Sequence, residues 1–201
     1  MDFIRAKRYI LEYMQQHISK DLLYHGLNHT LSVVSAAGKL CVLENIGRDK
    51  TRLVLTAALL HDIGFLAQYD KNEWVACEYC HSTLSQFDYT PGEIQHICAI
   101  IMATELPQNP TEICAEIVCD ADLSYLGTKE YFHIATSLRA ELEYMGRIFE
   151  QVEWLQFQIN FIEAHHYHTN SAVRLYEPIK MKNLAELHKQ IIGLGRGNGS
   201  F

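Results

Sequence analysis

Apolar residues recur at helical spacing along nearly the whole chain. Runs in which apolar and polar residues alternate between hairpin turns, the pattern typical of β-strands, are absent from the sequence. The pattern therefore predicts an all-α fold. The predicted helices cover residues 3–18, 27–43, 49–65, 91–104, 110–126, 129–145, 147–168 and 170–191.

Two of these helices have clear start signals. Thr90-Pro91-Gly92-Glu93 and Asn109-Pro110-Thr111-Glu112 each contain a capping residue, a proline at the first helical position and a glutamate at the third. Near the other end of the chain, Pro178 predicts a kink in the last helix. Because the sequence has no internal repeat, low-complexity block or interdomain linker, we expect one domain over residues 1–192 and a flexible Gly-rich tail over 193–201.

Composition and charge narrow the class of partner. The chain of 201 residues is 48% hydrophobic and 20% charged, which is typical of a folded globular protein. Its net charge of -7 argues against nucleic acid or an anionic membrane as a partner, because both require clustered basic residues. A small substrate is favoured, and a phosphorylated one would need local positive charge such as a divalent cation. With no signal peptide or membrane span in the sequence we expect a cytoplasmic protein, and a homo-oligomer is left open.

The cysteines and several histidines are predicted to be structural. Most of the six cysteines lie in apolar helical runs, so we expect no structural disulfide. Cys77-x-x-Cys80 followed by His81 is compatible with zinc or redox chemistry, but a second ligand pair is missing and packing is favoured. His81, His96 and His133 have no partner at ligand spacing.

The first segment that carries chemistry is His61-Asp62. The apolar run 53–60 leads directly into this pair. On an ideal helix the two side chains diverge by about 100°, yet both can reach one ion beyond the carboxyl end of the helix. The alternative for the pair alone is a hydrogen-bonded core contact.

Two further segments add similar side chains. His25 and His29 are four residues apart and share one face if their helix begins early enough. Asp120 and Asp122 interrupt an apolar helix near its carboxyl end. Because an unpaired carboxylate is costly to bury, at least one of the two aspartates should face a cation or strong hydrogen-bond donors. Helix-end capping or a salt bridge is the alternative.

In this order, His29, then His61-Asp62, then Asp122 resembles the H…HD…D signature of HD-domain metal-dependent phosphohydrolases. From about residue 24 to 187 the chain is similar to small bacterial predicted HD phosphohydrolases, and more distantly to cyclic-nucleotide phosphodiesterases. The resemblance implies a single-domain HD-type helical bundle whose metal is held by His29, His61, Asp62 and Asp122.

The resemblance also implies roles for nearby residues. His25 matches the histidine that protonates the leaving oxygen. Asp62 or Asp120 would orient or deprotonate the attacking water. Asp120 is also either the alternative ligand to Asp122 or a residue of the second coordination sphere. Where some relatives carry His-Glu this chain has Asn72-Glu73, so a second metal on that side is not implied. Glu73 is a candidate for assisting in activation of the water. The favoured alternative is that Glu73 is an exposed glutamate on a helix surface without a catalytic role.

A set of two imidazoles and two carboxylates suits Mn, Fe, Co, Ni, Zn or Mg. The function expected from the resemblance is hydrolysis of a phosphate ester of a small molecule, with a nucleotide favoured, by metal-activated water. A non-catalytic module that senses a nucleotide or metal is the alternative, and a di-iron oxygenase of the same fold would need extra histidine ligands. Arg174 and Lys182 are candidates for binding substrate phosphate, although a solvated face explains them equally well. A surface or packing role is favoured for His165, His166 and His168.

Overall fold

The computed structural model describes residues 1–197, with side chains through residue 195. Over this range the chain forms helices and turns without a strand, which confirms the all-α prediction. No helix in the same range is both long enough and apolar enough to cross a membrane. The α-helices are α1 (Phe3–His17), α2 (Leu27–Leu43), α3 (Arg48–Leu60), α4 (Asn72–Thr83), α5 (Pro91–Met102), α6 (Ile113–Asp122), α7 (Tyr131–Tyr144), α8 (Gln151–Ala164) and α9 (Asn170–Gly197).

The chain divides into two compact units, Met1–Leu123 and Ser124–Phe201. The first unit contains α1 to α6 and the second contains α7 to α9. A single folding domain over 1–192 stays a prediction. Helix α9 continues through residues 193–197, where the sequence predicts the start of a flexible tail. The rest of that predicted tail, 198–201, lies outside the described residues.

Helix α3 is the central element of the first unit. It packs against α1, α2, α5 and α6, so its side chains are buried on most sides. This surrounding explains why the segment is apolar all round instead of along one stripe. Leu59 and Leu60 are almost completely buried, and burial of each such side chain contributes about 1.5–3 kcal/mol. His61 and Asp62, which follow Leu60 along the chain, are therefore also buried.

One of the two predicted helix starts is confirmed and the other is wrong. At α5, Glu93 N donates to Thr90 Oγ1 over 3.3 Å and Thr90 N donates to Glu93 Oε2 over 2.8 Å, a complete capping box. Helix α6 begins at Ile113, three residues after the predicted start. Its capping position is Glu112, whose extended backbone (φ -149°, ψ 160°) lies outside the helix.

The predicted helix over 49–65 ends early, at Leu60. The backbone leaves helical geometry at Asp62 (φ -103°, ψ 6°), and a short 3-10 turn, Ile63–Leu66, follows. The turn packs tightly against the start of α4: a Cβ on Gly64 would lie 1.9 Å from the carbonyl oxygen of Asn72. Only glycine allows this approach. Helix α4 itself is missing from the predicted helices.

The second unit is built around the pairing of α8 and α9. Tyr131 Oη on α7 donates to Gln158 Oε1 on α8 over 2.9 Å, inside the buried part of this unit. Helix α8 is shorter than the predicted 147–168, because Glu150 caps its start with Glu153 and the chain is extended at His165. Pro178 lies inside α9, and the kink predicted there stays a prediction.

Candidate metal centre

Three helices of the first unit bring four of the predicted ligands together. His29 lies in the first turn of α2, His61 and Asp62 follow the last residue of α3, and Asp122 ends α6. Because α2, α3 and α6 all pack against one another, these helix ends converge. Residues up to 93 positions apart in sequence, 29 and 122, therefore meet.

The ligand-type atoms of these residues lie within 3.5 Å of their neighbours. His29 Nε2 is 3.2 Å from Asp62 Oδ2 and 3.1 Å from Asp122 Oδ1. His61 Nε2 is 3.1 Å from Asp62 Oδ2 and 3.5 Å from Asp122 Oδ1. The two Nε2 atoms are 3.3 Å apart. The side chains of His29, His61, Asp62 and Asp122 are 7%, 1%, 9% and 15% exposed.

The orientation of His61 is set by the backbone of its own helix. Its Nδ1 lies 2.9 Å from the carbonyl oxygen of Ala58. The carbonyl can only accept, so Nδ1 carries the proton and donates it. In the neutral ring, Nε2 then presents a lone pair to the cluster, the arrangement usual for a histidine that binds a metal.

Asp62 Oδ2 is a buried oxygen that accepts no hydrogen bond. It lies within 3.2 Å of the Nε2 atoms of both His29 and His61, but without the angles of a hydrogen bond. Buried carboxylate oxygens are nearly always satisfied by a donor or a cation. This oxygen and the set of two nitrogens and two carboxylates therefore fit a divalent cation.

The charges of the cluster shift the pKa values of its members in opposite directions. Burial by itself lowers the pKa of His29 and His61, but the Asp62 and Asp122 carboxylates outweigh it and raise both, that of His61 well above its usual range. Burial by itself raises the pKa of the two aspartates, and the histidines lower both, that of Asp62 strongly. Protons thus balance the carboxylates when no cation is bound. A cation has to displace these protons, so cation affinity should increase with pH.

The structure groups Asp122, the aspartate favoured by the sequence, with the two histidines. One ligand atom each of His29, His61 and Asp122 lies within 4.8 Å of the other two, and neither Asp62 nor Asp120 is part of this group of three. Asp62 joins it through Oδ2, which lies within 3.2 Å of both Nε2 atoms. Asp120 is fully buried and lies two positions earlier on α6, which turns it about 200° away from Asp122.

His25 reaches the neighbourhood of the cluster by a different route from the one predicted. Helix α2 begins at Leu27, so His25 precedes it and the two histidines share no helical face. Its ring is nevertheless 6.1 Å from that of His29 and stacks on Phe65 at 4.0 Å, with Tyr69 edge-on at 5.8 Å. The sequence did not indicate these aromatic partners, since contacts between two turns have no characteristic spacing.

Glu73 lies half-buried in the first turn of α4. With its amide turned to donate, Asn72 contacts the Glu73 carboxylate at 2.8 and 3.0 Å. Burial raises the pKa of Glu73, and the carboxylates of Glu105, Asp62 and Asp122 add to the effect. Glu73 therefore feels the charge of the cluster, and its assisting role stays a prediction.

Comparison with known proteins identifies the segment that contains the cluster. Residues 26–124 match the family model of the HD domain. A crystal structure from Lactobacillus plantarum, solved as a structural genomics target, is similar with a TM-score of 0.69 and 19% identity over 98% of each chain, which shows the fold. A comparison with curated proteins finds no match. Members of the HD superfamily are generally metal-dependent hydrolases. The segment 26–124, which contains all four clustered side chains, is thus similar to an HD domain.

Proposed function

We propose that this protein hydrolyses a phosphate ester of a small molecule, with a nucleotide as the favoured substrate. The observation that carries the proposal is Asp62 Oδ2, a buried oxygen that accepts no hydrogen bond although two imidazole nitrogens lie within 3.2 Å of it. An oxygen in this position is stabilised by a cation shared with the same nitrogens.

In this proposal His29, His61, Asp62 and Asp122 hold one divalent cation. The charges of two carboxylates and one such ion sum to about zero, which makes the set tolerable in a buried position. When bound, the ion supplies Lewis-acid polarisation of a phosphoryl oxygen and lowers the pKa of water. The protein's net charge of -7 supports the need for such a local positive charge.

The carboxylate of Asp62 is proposed to orient the attacking water and to accept its proton. Its place in the cluster supports this role, because a carboxylate can contact a cation with one oxygen and accept a hydrogen bond from water with the other. The same role for Asp120 has less support, since Asp120 is fully buried and its position on α6 is turned about 200° from that of Asp122. We propose that Asp120 maintains the local structure of α6 beside Asp122.

His25 is proposed to donate a proton to the leaving oxygen. The centroid of its ring lies 6.1 Å from the centroid of the His29 ring, which belongs to the cluster. Stacking on Phe65 holds the His25 ring in this position. Histidine is the side chain most often used for this task. The partly exposed rings of Phe65 and Tyr69 also provide aromatic surface next to the cluster, which supports a substrate with a planar base.

Replacing His25 with alanine should separate substrates by their leaving group. We expect kcat to fall about 100-fold or more for esters of aliphatic alcohols, the usual contribution of general acid catalysis. The loss should be much smaller for p-nitrophenyl esters, because p-nitrophenolate leaves without being protonated. The measurement is kcat for both substrate types at saturating metal. Equal losses for both types, or an unchanged kcat, would contradict the acid role.

A screen of the purified protein tests the proposed function itself. The metal content is measured first, and the metal-free protein is then supplied with Mn, Fe, Co, Ni, Zn or Mg in turn. With each ion, phosphate release is followed from nucleoside monophosphates, cyclic nucleotides and nucleoside triphosphates. We expect release with at least one ion and none after chelation. Binding of a nucleotide without any product would favour the sensing module instead.

A further inference from the structure

A second cluster of ligand-type side chains lies where α5 meets the start of α6. His96 lies in α5, Glu112 immediately precedes α6, and Cys114 lies in the first turn of α6. One nitrogen, one carboxylate oxygen and one sulfur of these residues all lie within 4.8 Å of one another. None of the three belongs to the candidate metal centre described above.

Glu112 uses its side chain in an unusual way for a residue in the capping position. It makes no side-chain hydrogen bond to its own helix, although the first backbone N–H groups of a helix have no acceptor within the helix. Its Oε1 instead contacts Nε2 of His96 on the neighbouring helix. The carboxylate is therefore directed across to α5, towards the same point as the imidazole.

Cys114 brings a sulfur to this point from the buried side. The residue is completely buried and its thiol is free. His96 and Glu112 are only partly buried, so the cluster is closed by protein on the sulfur side and open to solvent on the other. An ion from solution can reach such a site, and water or a ligand can complete its coordination.

We propose that His96, Glu112 and Cys114 form a second cation site that takes a borderline-soft divalent ion such as Zn²⁺. Imidazole, carboxylate and thiolate are all ordinary zinc ligands, and the thiolate disfavours Mg²⁺ and Ca²⁺. Three protein ligands leave the fourth tetrahedral position open. The sequence pattern does not predict this site, because Glu112 and Cys114 lie 16 and 18 positions after His96 and belong to a different element.

The position of this site on α6 suggests what the ion does. Cys114 lies eight residues before Asp122 on the same helix, which corresponds to about 12 Å along the helix axis. An ion held by His96 and Cys114 would tie the start of α6 to α5. Helix α6 would then be attached at one end by the second site and contribute Asp122 to the first centre at the other.

Titration of the metal-free chain of 201 residues with Co²⁺ tests the proposal. Thiolate bound to Co²⁺ gives an intense near-ultraviolet charge-transfer band, whereas the first centre contains only nitrogen and oxygen ligands and gives none. We expect the band in the wild-type protein and its loss in Cys114→Ser. Cys119→Ser is the matched control on the same helix: its thiol donates to the Ala103 carbonyl over 3.2 Å, and the band should remain.

His96→Gln extends the test with a conservative change at a partly exposed position. It should weaken Co²⁺ binding at the thiolate band by more than about tenfold, a loss typical even of residues that only orient a ligand. Circular dichroism of each variant verifies that the helices are intact. A band that survives Cys114→Ser, a band lost in Cys119→Ser, or no thiolate band in the wild type would overturn the proposal.

Discussion

Asp122→Ala is expected to abolish metal binding at the candidate metal centre. It should also lower kcat/KM by about 1,000-fold, which corresponds to about 4 kcal/mol of transition-state stabilisation. The variant leaves two imidazoles and one carboxylate, and removes the oxygen that lies 3.1 Å from His29 Nε2 and 3.5 Å from His61 Nε2. Metal content by mass spectrometry and kcat/KM for the substrate found in the screen are the measurements.

Two changes on the same helix serve as controls for Asp122→Ala. Glu116→Gln removes a carboxylate from the partly exposed side of α6 and should leave metal content and activity unchanged. Asp120→Asn should retain the metal, because its position on α6 is turned about 200° from that of Asp122, whose Oδ1 lies within 3.5 Å of both Nε2 atoms. If Asp120→Asn lost the metal while Asp122→Ala kept it, the ligand assignment on α6 would be wrong.

The sequence predicted which residues form the cluster at the candidate metal centre better than it predicted the bounds of the helices that position them. An apolar run ending in His61-Asp62 indicated where α3 leaves the core, and the bounds of α2, Leu27–Leu43, agree with the prediction. Helix ends were less predictable. Apolar residues continue past Leu60 in helical spacing, but the chain turns at Asp62 because the segment 63–66 packs against α4, a contact that local pattern does not reveal.

Contacts between distant segments were the main source of what the sequence could not predict. Phe65 beside His25 and Glu112 beside His96 each join elements without a fixed spacing, and each residue alone is ordinary. His96 was predicted to be structural on that ground. The four HD residues were accessible because their order and local context resemble a known family; their binding of a metal stays a prediction.

Gly64→Ala is expected to destabilise the protein by about 3 kcal/mol, the upper part of the range for overpacking. The new Cβ would lie 1.9 Å from the Asn72 carbonyl oxygen and 2.7 Å from its carbon, and both atoms belong to backbone that cannot move alone. To relieve the clash, the 3-10 turn and α4 must separate. Asp62 immediately precedes that turn, so metal affinity should fall with stability. Urea unfolding and metal titration measure the two effects.

Gly92→Ala is the matched control, because it tests a glycine with open space around it. A Cβ on Gly92 would have no neighbour within 4 Å, and Gly92 lies in the first turn of α5. This change should be neutral or stabilise by up to about 1 kcal/mol, since alanine loses less backbone entropy than glycine in a helix. If Gly64→Ala behaved like Gly92→Ala, the turn after Asp62 would not pack on α4 in solution. The position of Asp62 would then depend on α3 alone.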